Sequence, residues 1–201
     1  MIAGCFFVSV KYFDSAILSI MKKLFYVRHG ETDMNVAGLL SGQTETKLTN
    51  RGIEQAKAVG REIKQKLPAI DLIVCSPYER TYETSKLIAQ ELGYPIDKIQ
   101  KNEMFIERTF GVLEGTLGAD FLDKHEYKEF DNVEGSETIE DLQKRAEEAF
   151  KYLQTLEEDN ILVVGHGAFA RAIKRVVKNL PHTHEYEVDT SIGNATIVEL
   201  I

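Results

Sequence analysis

Two kinds of segment alternate along most of this chain of 201 residues: continuous apolar runs, and segments whose apolar residues have helical spacing. The runs at 23–27, 71–75 and 161–164 are apolar enough to predict buried strands. Between them, apolar residues recur every three or four positions, as they do on one face of a helix. This alternation of strand and helix patterns predicts a mainly parallel sheet covered by helices.

Capping residues and helix breakers predict where the helices begin and end. Thr49 is a good N-cap for a helix that Pro68 closes. Ser76-Pro77 breaks the second strand and opens a helix that Gly93 ends. Ser136 precedes several acidic residues, which suit the positive end of a helix dipole, so Ser136 is the predicted N-cap of the next helix.

The pattern is less regular between residues 115 and 135, where acidic and aromatic residues predict short helices that cap a site. A further helix is predicted over about 168–178, and short strands over 99–102 and 195–200. There is no internal repeat and no low-complexity linker, and 43% hydrophobic residues can form one sizeable core. We therefore expect a single globular domain.

The first twenty residues are fairly apolar but carry Lys11 and Asp14, and they lack a basic start and a clear cleavage site. A secretory signal is therefore not expected. Met21 stands directly before the first predicted strand. We interpret residues 1–20 as an upstream extension and residues 21–201 as the domain.

The formal net charge of −8 argues against a protein whose whole surface attracts nucleic acid or an anionic membrane. No apolar stretch is long and uninterrupted enough to span a bilayer. Cys5 and Cys75 lack metal-ligand spacing and are most simply reduced thiols, with Cys75 a small core residue. We expect a cytoplasmic protein.

Two histidine tripeptides, Arg28-His29-Gly30 and Gly165-His166-Gly167, each follow a predicted strand. Ligands bind beyond the carboxyl ends of parallel strands, so both imidazoles are expected at one site. The glycine after each histidine is expected to let the chain turn sharply and to let a bulky anion approach the backbone. The sequence therefore predicts a catalytic histidine pair.

Several further motifs occur in order along the chain. They are Arg28-His29-Gly30-Glu31-Thr32 with Asn35, Leu48-Thr49-x-x-Gly52-x-x-Gln55-Ala56, Ser76-Pro77-x-x-Arg80-x-x-x-Thr84, Ile106-Glu107-Arg108-x-Phe110-Gly111-x-x-Glu114-Gly115, Gly135-Ser136-Glu137 and Val164-Gly165-His166-Gly167. Together they resemble the histidine phosphatase superfamily, also called the phosphoglycerate mutase-like family, over residues 22–201. The resemblance implies a three-layer α/β/α sandwich with a mainly parallel central sheet.

The resemblance also implies a role for each central residue. His29 is the expected nucleophile, which forms a phosphohistidine, and Glu107 is the expected proton donor. Arg28 and Arg80 would bind the phosphate through their planar guanidinium groups. His166 would donate a hydrogen bond to the phosphoryl group. Neither a metal ion nor another cofactor is expected.

Secondary expectations concern the rest of the pocket. The residues expected to bind substrate, besides Arg28, Arg80 and Glu107, are Asn35, Ser41, Gly42, Gln43, Thr44 and Gly167. Glu114 with Gly115 is expected to shape a turn, and Thr84 to pack or cap within its helix. The role of Arg108 stays open.

Each assignment has a simpler alternative. The two arginines could be surface ion-pair partners, Glu107 could lie in an exposed loop, and His166 could be a core residue. Six ordered motifs favour the functional interpretation. His125, His182 and His184 are expected to be exposed loop histidines rather than zinc ligands, and the sequon at Asn194 is expected to lie unmodified in a strand.

The segment between Gly115 and Ser136 separates the candidate activities. Related mutases carry a longer, more basic insertion here, whereas this chain offers only Lys124 and Lys128. A shorter and less basic cap should admit water, which favours a phosphatase that acts on a small-molecule phosphate ester. The alternatives are a cofactor-dependent phosphoglycerate mutase and a non-catalytic module that binds phospholigands. Homodimerisation is an expectation from the resemblance alone.

Overall fold

The computed structural model describes residues 22–180 and 192–201. The strands of that part are β1 (Lys23–Arg28), β2 (Leu72–Cys75), β3 (Gln100–Lys101), β4 (Asn160–Gly165) and β5 (Ile197–Glu199). Its α-helices are α1 (Asp33–Val36), α2 (Asn50–Lys66), α3 (Glu79–Leu92), α4 (Gly118–Leu122), α5 (Ile139–Thr155) and α6 (Gly167–Val177). Short 3₁₀ turns lie at Ile96–Lys98, Glu103–Phe105, Gly111–Leu113 and Tyr127–Asn132.

The strands form one sheet in the order β3-β2-β4-β1-β5. β1 to β4 run parallel to one another, and β5 pairs with β1 in the antiparallel sense. The predicted mainly parallel sheet is therefore confirmed. β1 and β4 are neighbours, so their carboxyl ends lie side by side.

Successive residues of β1 point to opposite faces of the sheet. Leu24 and Tyr26 pack in the core that faces α5 and α6, whereas Phe25 and Val27 pack in the core that faces α2 and α3. Helices thus cover both faces, as expected for a three-layer sandwich. Cys75 is a free, buried thiol in the second of these cores, as predicted.

Most helix boundaries follow the predicted caps, although α3 begins at Glu79, with Tyr78 as its N-cap, rather than at Ser76-Pro77. Thr49 accepts a hydrogen bond from the Gly52 amide, and Gly93 ends α3 in the left-handed conformation. The prediction that Ser136 caps α5 is wrong, because Thr138 is the N-cap. Ser136 is still extended and bridges to Phe110, and its hydroxyl donates to the Thr109 carbonyl oxygen.

The segment between β3 and α5 forms the predicted cap with short helices. We define the cap as residues 111–135, which include α4 and the 3₁₀ turn Tyr127–Asn132. Phe121 stacks on Phe130, and Phe110 meets Phe130 edge to face. Arg108, which is fully buried, pairs with Asp131 of this turn at 2.6 Å. The cap is therefore tied to the residue that follows Glu107.

Some expectations concern residues outside the described ranges, namely the extension at 1–20 with Cys5, and His182 and His184. In residues 22–180 and 192–201, no helix combines the length and apolar character needed to cross a membrane.

Candidate active site

His29 and His166 lie at the carboxyl ends of two adjacent parallel strands. The register pairs Arg28 of β1 with Gly165 of β4, and the His29 amide donates to the Gly165 carbonyl oxygen at 2.9 Å. The two imidazole centroids are 5.4 Å apart, with an interplanar angle of 66°. The sequence-predicted histidine pair is therefore brought together by the sheet.

The tautomer of His29 follows from one hydrogen bond. Its Nδ1 atom lies 2.8 Å from the carbonyl oxygen of Gly30, which can only accept, so Nδ1 carries the proton and Nε2 keeps its lone pair. Burial and the nearby charges of Arg28 and Arg80 hold the pKa of His29 well below its ordinary value. The ring is therefore neutral at neutral pH and has a free nucleophilic nitrogen.

Both nitrogens of His166 have partners. The Nε atom of Arg80 donates to Nδ1 at 3.2 Å, so the proton of the neutral ring lies on Nε2, which is 2.8 Å from the hydroxyl of Ser76. Burial, followed by the charge of Arg80, holds the pKa of His166 well below the ordinary value. In this arrangement His166 has no N–H to offer a phosphoryl oxygen; it orients Arg80 instead.

Tyr26, a residue that the sequence did not single out, fixes the backbone at His166. Its hydroxyl accepts a hydrogen bond from the His166 amide at 2.7 Å and lies 3.0 Å from the His166 carbonyl oxygen. A Cβ atom at Gly165 would overlap this hydroxyl. Burial raises the pKa of Tyr26 well above its ordinary value, so the phenol keeps its proton.

Arg80 is a buried cation held by neutral acceptors. Its Nη2 and Nη1 atoms donate to the carbonyl oxygens of Gly42 and Thr44 at 2.7 and 2.8 Å, and only 1% of the residue is exposed. Within the described ranges, no carboxylate lies within ion-pair distance of Arg80. A buried charge without a counterion is costly, so this guanidinium favours an anionic ligand.

Glu114 holds the loop that provides these two carbonyl groups. Its carboxylate accepts hydrogen bonds from the Gln43 amide at 2.9 Å and from the Thr44 hydroxyl at 2.6 Å. Gly42 has a φ of +46°, and a Cβ atom there would overlap the Glu114 side chain. Glu114 therefore shapes the loop, which agrees with its predicted structural role.

Close packing gives the glycines after the two histidines a role that the sequence did not predict. Neither Gly30 nor Gly167 has a positive φ. A Cβ atom at Gly30 would overlap the Gly52 carbonyl oxygen, and one at Gly167 would stand 3.3 Å from the Arg28 guanidinium. Close packing on α2 and on Arg28 thus explains these two glycines.

A cavity of about 270 Å³ opens beside His29. Its described lining consists of Arg28, His29, Asn35, Leu39, Leu40, Ser41, Gly42, Arg80, Glu107, Phe110, Leu122, Tyr127, Phe130, Gly167, Ala168 and Arg171. Most of the predicted site residues are in this set. Three predicted residues are outside this set but form hydrogen bonds with residues that line the cavity: His166 and Thr44 with Arg80, and Gln43 with Glu107.

Two side chains of the lining have hydrogen-bonding groups that could contact a ligand. The hydroxyl oxygen of Ser41 is buried and has no hydrogen-bond partner among the described residues. The Oδ1 atom of Asn35 accepts from the Thr32 amide and from Asn194 Nδ2, at 3.2 and 3.1 Å, so its Nδ2 group is the donor that remains for a ligand. Asn194 lies in a turn before β5 rather than in the predicted strand.

Glu107 is half-buried and lies against the start of α6. Its carboxylate accepts hydrogen bonds from the amides of Arg108, Ala168 and Phe169, at 3.0, 3.1 and 3.0 Å. Arg145 donates to the carbonyl oxygens of Ile106 and Glu107. The backbone and side chain of Glu107 are thus both fixed, and the exposed-loop alternative is wrong.

The cavity lining also contains two polar residues that no sequence motif indicated, Arg171 and Tyr127. Arg171 lies on α6, four residues after Gly167 and therefore on the same helix face, and both line the cavity. Its Nη2 atom donates to the Tyr127 hydroxyl at 2.8 Å. The helical spacing from Gly167 was a usable signal for Arg171, whereas no local signal indicated Tyr127.

Other residues have structural contacts. The Thr84 hydroxyl accepts from the Gly30 amide at 3.1 Å and donates to the Arg80 carbonyl oxygen, so Thr84 links α3 to the histidine loop. His125 is exposed, as predicted, stacks on Phe121 and pairs with Glu129. Across residues 22–180 and 192–201, no group of three or more His, Cys, Asp or Glu residues is arranged to hold a metal ion.

This chain is similar to known proteins over most of its length. Residues 24–201 match the family model described as histidine phosphatase superfamily (branch 1). A 2,3-bisphosphoglycerate-dependent phosphoglycerate mutase of Beijerinckia indica is 31% identical over 184 residues, which cover 84% of this chain and 88% of the mutase.

Solved structures include two similar phosphatases. The phosphoserine phosphatase of Entamoeba histolytica, solved with 3-phosphoglyceric acid, has a TM-score of 0.73 and 27% identity over 89% of this chain and 90% of its own. The α-ribazole phosphatase of Shigella flexneri has a TM-score of 0.72 and 25% identity, over 88% and 89% respectively. This chain is therefore similar both to phosphatases and to a mutase.

Proposed function

The chain belongs to the histidine phosphatase superfamily, and on that premise we propose that it hydrolyses phosphomonoesters through a phosphohistidine on His29. The observation that carries the proposal is the hydrogen bond from Nδ1 of His29 to the Gly30 carbonyl oxygen. It leaves the Nε2 lone pair of a neutral, buried imidazole beside a cavity lined by Arg28 and Arg80. A neutral imidazole can attack phosphorus without first losing a proton.

The proposed reaction has two steps. Nε2 of His29 forms a bond to phosphorus while the bond to the ester oxygen breaks, and Glu107 in its acid form gives a proton to that oxygen. A water molecule then attacks the phosphohistidine, and Glu107 as carboxylate takes the proton of this water. The bond between phosphorus and Nε2 breaks, which releases inorganic phosphate and the neutral imidazole.

The phosphoryl oxygens are proposed to meet donors on several sides. Arg28 and Arg80 supply positive charge in a planar fork that matches phosphate. The unpartnered hydroxyl of Ser41 and the Nδ2 group of Asn35 add neutral donors. Because these guanidinium groups stay charged near neutral pH, we propose that the reaction needs no metal ion.

His166 is proposed to act in two ways. Without substrate it accepts the hydrogen bond of Arg80 and orients that guanidinium. A bound phosphate dianion would favour the uptake of a second proton from solvent at Nδ1 of His166. That nitrogen would then no longer accept from Nε of Arg80, while the Gly42 and Thr44 carbonyl oxygens still hold the two Nη atoms of the fork. The newly formed Nδ1–H would then donate to a phosphoryl oxygen, which is the role the family resemblance implies.

Hydrolysis is favoured over mutase activity by the cap. Residues 111–135 are short and supply only Lys124 and Lys128 as cations, and neither lines the cavity. Water should therefore reach the phosphohistidine. The similarity to a phosphoglycerate mutase keeps that activity as the second candidate.

The test is phosphate release from a panel of phosphomonoesters, in the presence of chelator, by the wild type and His29→Ala. We expect hydrolysis that resists the chelator and is lost in the folded variant. Conversion of 3-phosphoglycerate to 2-phosphoglycerate after priming with 2,3-bisphosphoglycerate, without phosphate release, would favour the mutase. A folded His29→Ala protein with full activity would contradict the mechanism.

A further inference from the structure

The cavity contains polar groups that the phosphoryl chemistry does not use. Of its described lining, six polar side chains belong to the proposed phosphoryl machinery, namely Arg28, His29, Asn35, Ser41, Arg80 and Glu107. The remaining polar side chains of this lining are Tyr127 and Arg171. These two groups are therefore placed to recognise the part of the substrate that is not phosphate.

Arg171 lies about one turn into α6. It follows Gly167, at the start of α6, by four residues, which corresponds to about 6 Å along a helix axis. Its guanidinium meets the Tyr127 hydroxyl at 2.8 Å and lies 5.5 Å from the centroid of that ring. Tyr127 belongs to the cap, so the Arg171 side chain connects α6 to the cap.

The rest of the lining is apolar and the space is small. The side chains involved are Leu39, Leu40, Phe110, Leu122 and Phe130. Hydroxyl groups of a sugar would find few partners on such a surface and would lose their water. The cavity volume of about 270 Å³ lies just below the roughly 300–1,000 Å³ of pockets for drug-sized ligands, which favours a small substrate.

We propose, on the premise that the protein is a phosphatase, that Arg171 binds a carboxylate of the substrate while Tyr127 holds its guanidinium in place. One guanidinium balances the single charge of a carboxylate and matches its two oxygens. The preferred substrate is then a small phosphomonoester with a carboxylate a few bonds from the ester oxygen. Arg171 is the specificity-determining residue and Tyr127 its positioning residue.

The test uses two substrates of one skeleton, 3-phosphoglycerate and glycerol 3-phosphate, which differ in whether a carboxylate or a neutral hydroxymethyl group ends the chain. The measured quantity is the ratio of their kcat/KM values. A charge-assisted hydrogen bond contributes enough for a preference of about 10- to 100-fold in the wild type. Arg171→Gln should bring the ratio close to one, and Tyr127→Phe should give an intermediate ratio.

Lys178→Met is the matched control, because it removes an exposed cation at the C-cap of the same helix and Lys178 does not line the cavity. It should keep the wild-type ratio. The melting temperature of each variant shows whether it is folded. Dissociation constants of both compounds, measured in a His29→Asn background with and without Arg171→Gln, report recognition separately from chemistry.

The outcomes separate the two proposals. Hydrolysis of both substrates at a ratio near one in the wild type, or a preference that survives Arg171→Gln, would overturn the carboxylate site and leave the phosphatase intact. Absence of release from every ester would overturn the phosphatase. The binding constants then decide: tighter binding of 3-phosphoglycerate that Arg171→Gln abolishes supports the carboxylate site, and equal binding overturns it.

Discussion

The Nε atom of Arg80 donates a hydrogen bond of 3.2 Å to Nδ1 of His166, so a buried cation and a buried imidazole share one contact. This contact requires a lone pair on Nδ1 and therefore a neutral ring. The Gly42 and Thr44 carbonyl oxygens hold the other two nitrogens of the guanidinium. The fork of Arg80 is thereby fixed before any anion arrives, which reduces the reorganisation that binding requires.

Arg80→Lys tests this fixed fork. A lysine keeps the charge but offers a single ammonium group, which cannot reach His166 and both carbonyl oxygens together. We expect a loss of about 10²- to 10³-fold in kcat/KM, as for removal of one donor to a reacting oxyanion. Arg61→Lys, an exposed residue paired with Glu91, is the control and should keep the wild-type value. An Arg80→Lys enzyme with normal kcat/KM would show that the fork is dispensable.

Glu107→Gln tests the proposed proton donor through the leaving group. An alkyl ester needs a proton on its departing oxygen, whereas p-nitrophenolate leaves without one. We expect kcat for glycerol 3-phosphate to fall about 10²- to 10⁴-fold, and kcat for p-nitrophenyl phosphate to fall much less. The control is Glu103→Gln, at an exposed position on the same segment. Equal losses for the two esters would assign Glu107 to positioning rather than to proton transfer.

The strands and the histidine pair could be predicted because their signals are local. Buried strands are apolar runs, and residues that follow adjacent parallel strands must meet at one edge of the sheet. The sequence predicts Ser136 as the N-cap of α5, but Thr138 has that position, because a bridge to Phe110 keeps the chain extended at Ser136. That pairing joins distant segments, so the capping pattern alone could not reveal it.

Contacts between distant segments also explain the missed site residues. Tyr26 fixes the His166 backbone across 140 positions of sequence, and Asn194 Nδ2 donates to the His29 carbonyl oxygen across 165. A tyrosine in a buried strand looks like an ordinary core residue, and Asn194 looked like an unused sequon. Arg171 is one of several basic residues of α6, and the packing of the cap determines that it reaches the cavity.

The stability of the protein should fall as the pH drops below about 6.5, the ordinary histidine pKa. Both His29 and His166 have lowered pKa values in the fold, so the unfolded chain takes up protons first. The free energy of unfolding then declines by up to about 1.4 kcal/mol per pH unit for each imidazole. Asp33 and Glu114 also have lowered pKa values, but their contributions are lost only at the lower pH where carboxylates titrate.

Urea unfolding at a series of pH values between 7.5 and 5 measures this effect, and His29→Asn is the comparison. Removal of one imidazole should reduce the slope of unfolding free energy against pH in that window. A slope that is the same in both proteins would mean that folding does not lower the pKa of His29, which would contradict the effect of burial and of the two arginines on this ring.

Gly30→Ala should destabilise the fold through the backbone of α2. The new Cβ atom would overlap the Gly52 carbonyl oxygen and stand 2.9 Å from its carbonyl carbon, and backbone cannot rotate away as a side chain can. Overpacking of this kind costs about 1–3 kcal/mol in the free energy of unfolding. Gly118→Ala is the control, because its nearest contact is the flexible Leu40 side chain at 3.0 Å. Urea unfolding should therefore show a clearly larger loss for Gly30→Ala; equal losses would mean that α2 can shift to admit a methyl group, and that the histidine loop tolerates a side chain at this position.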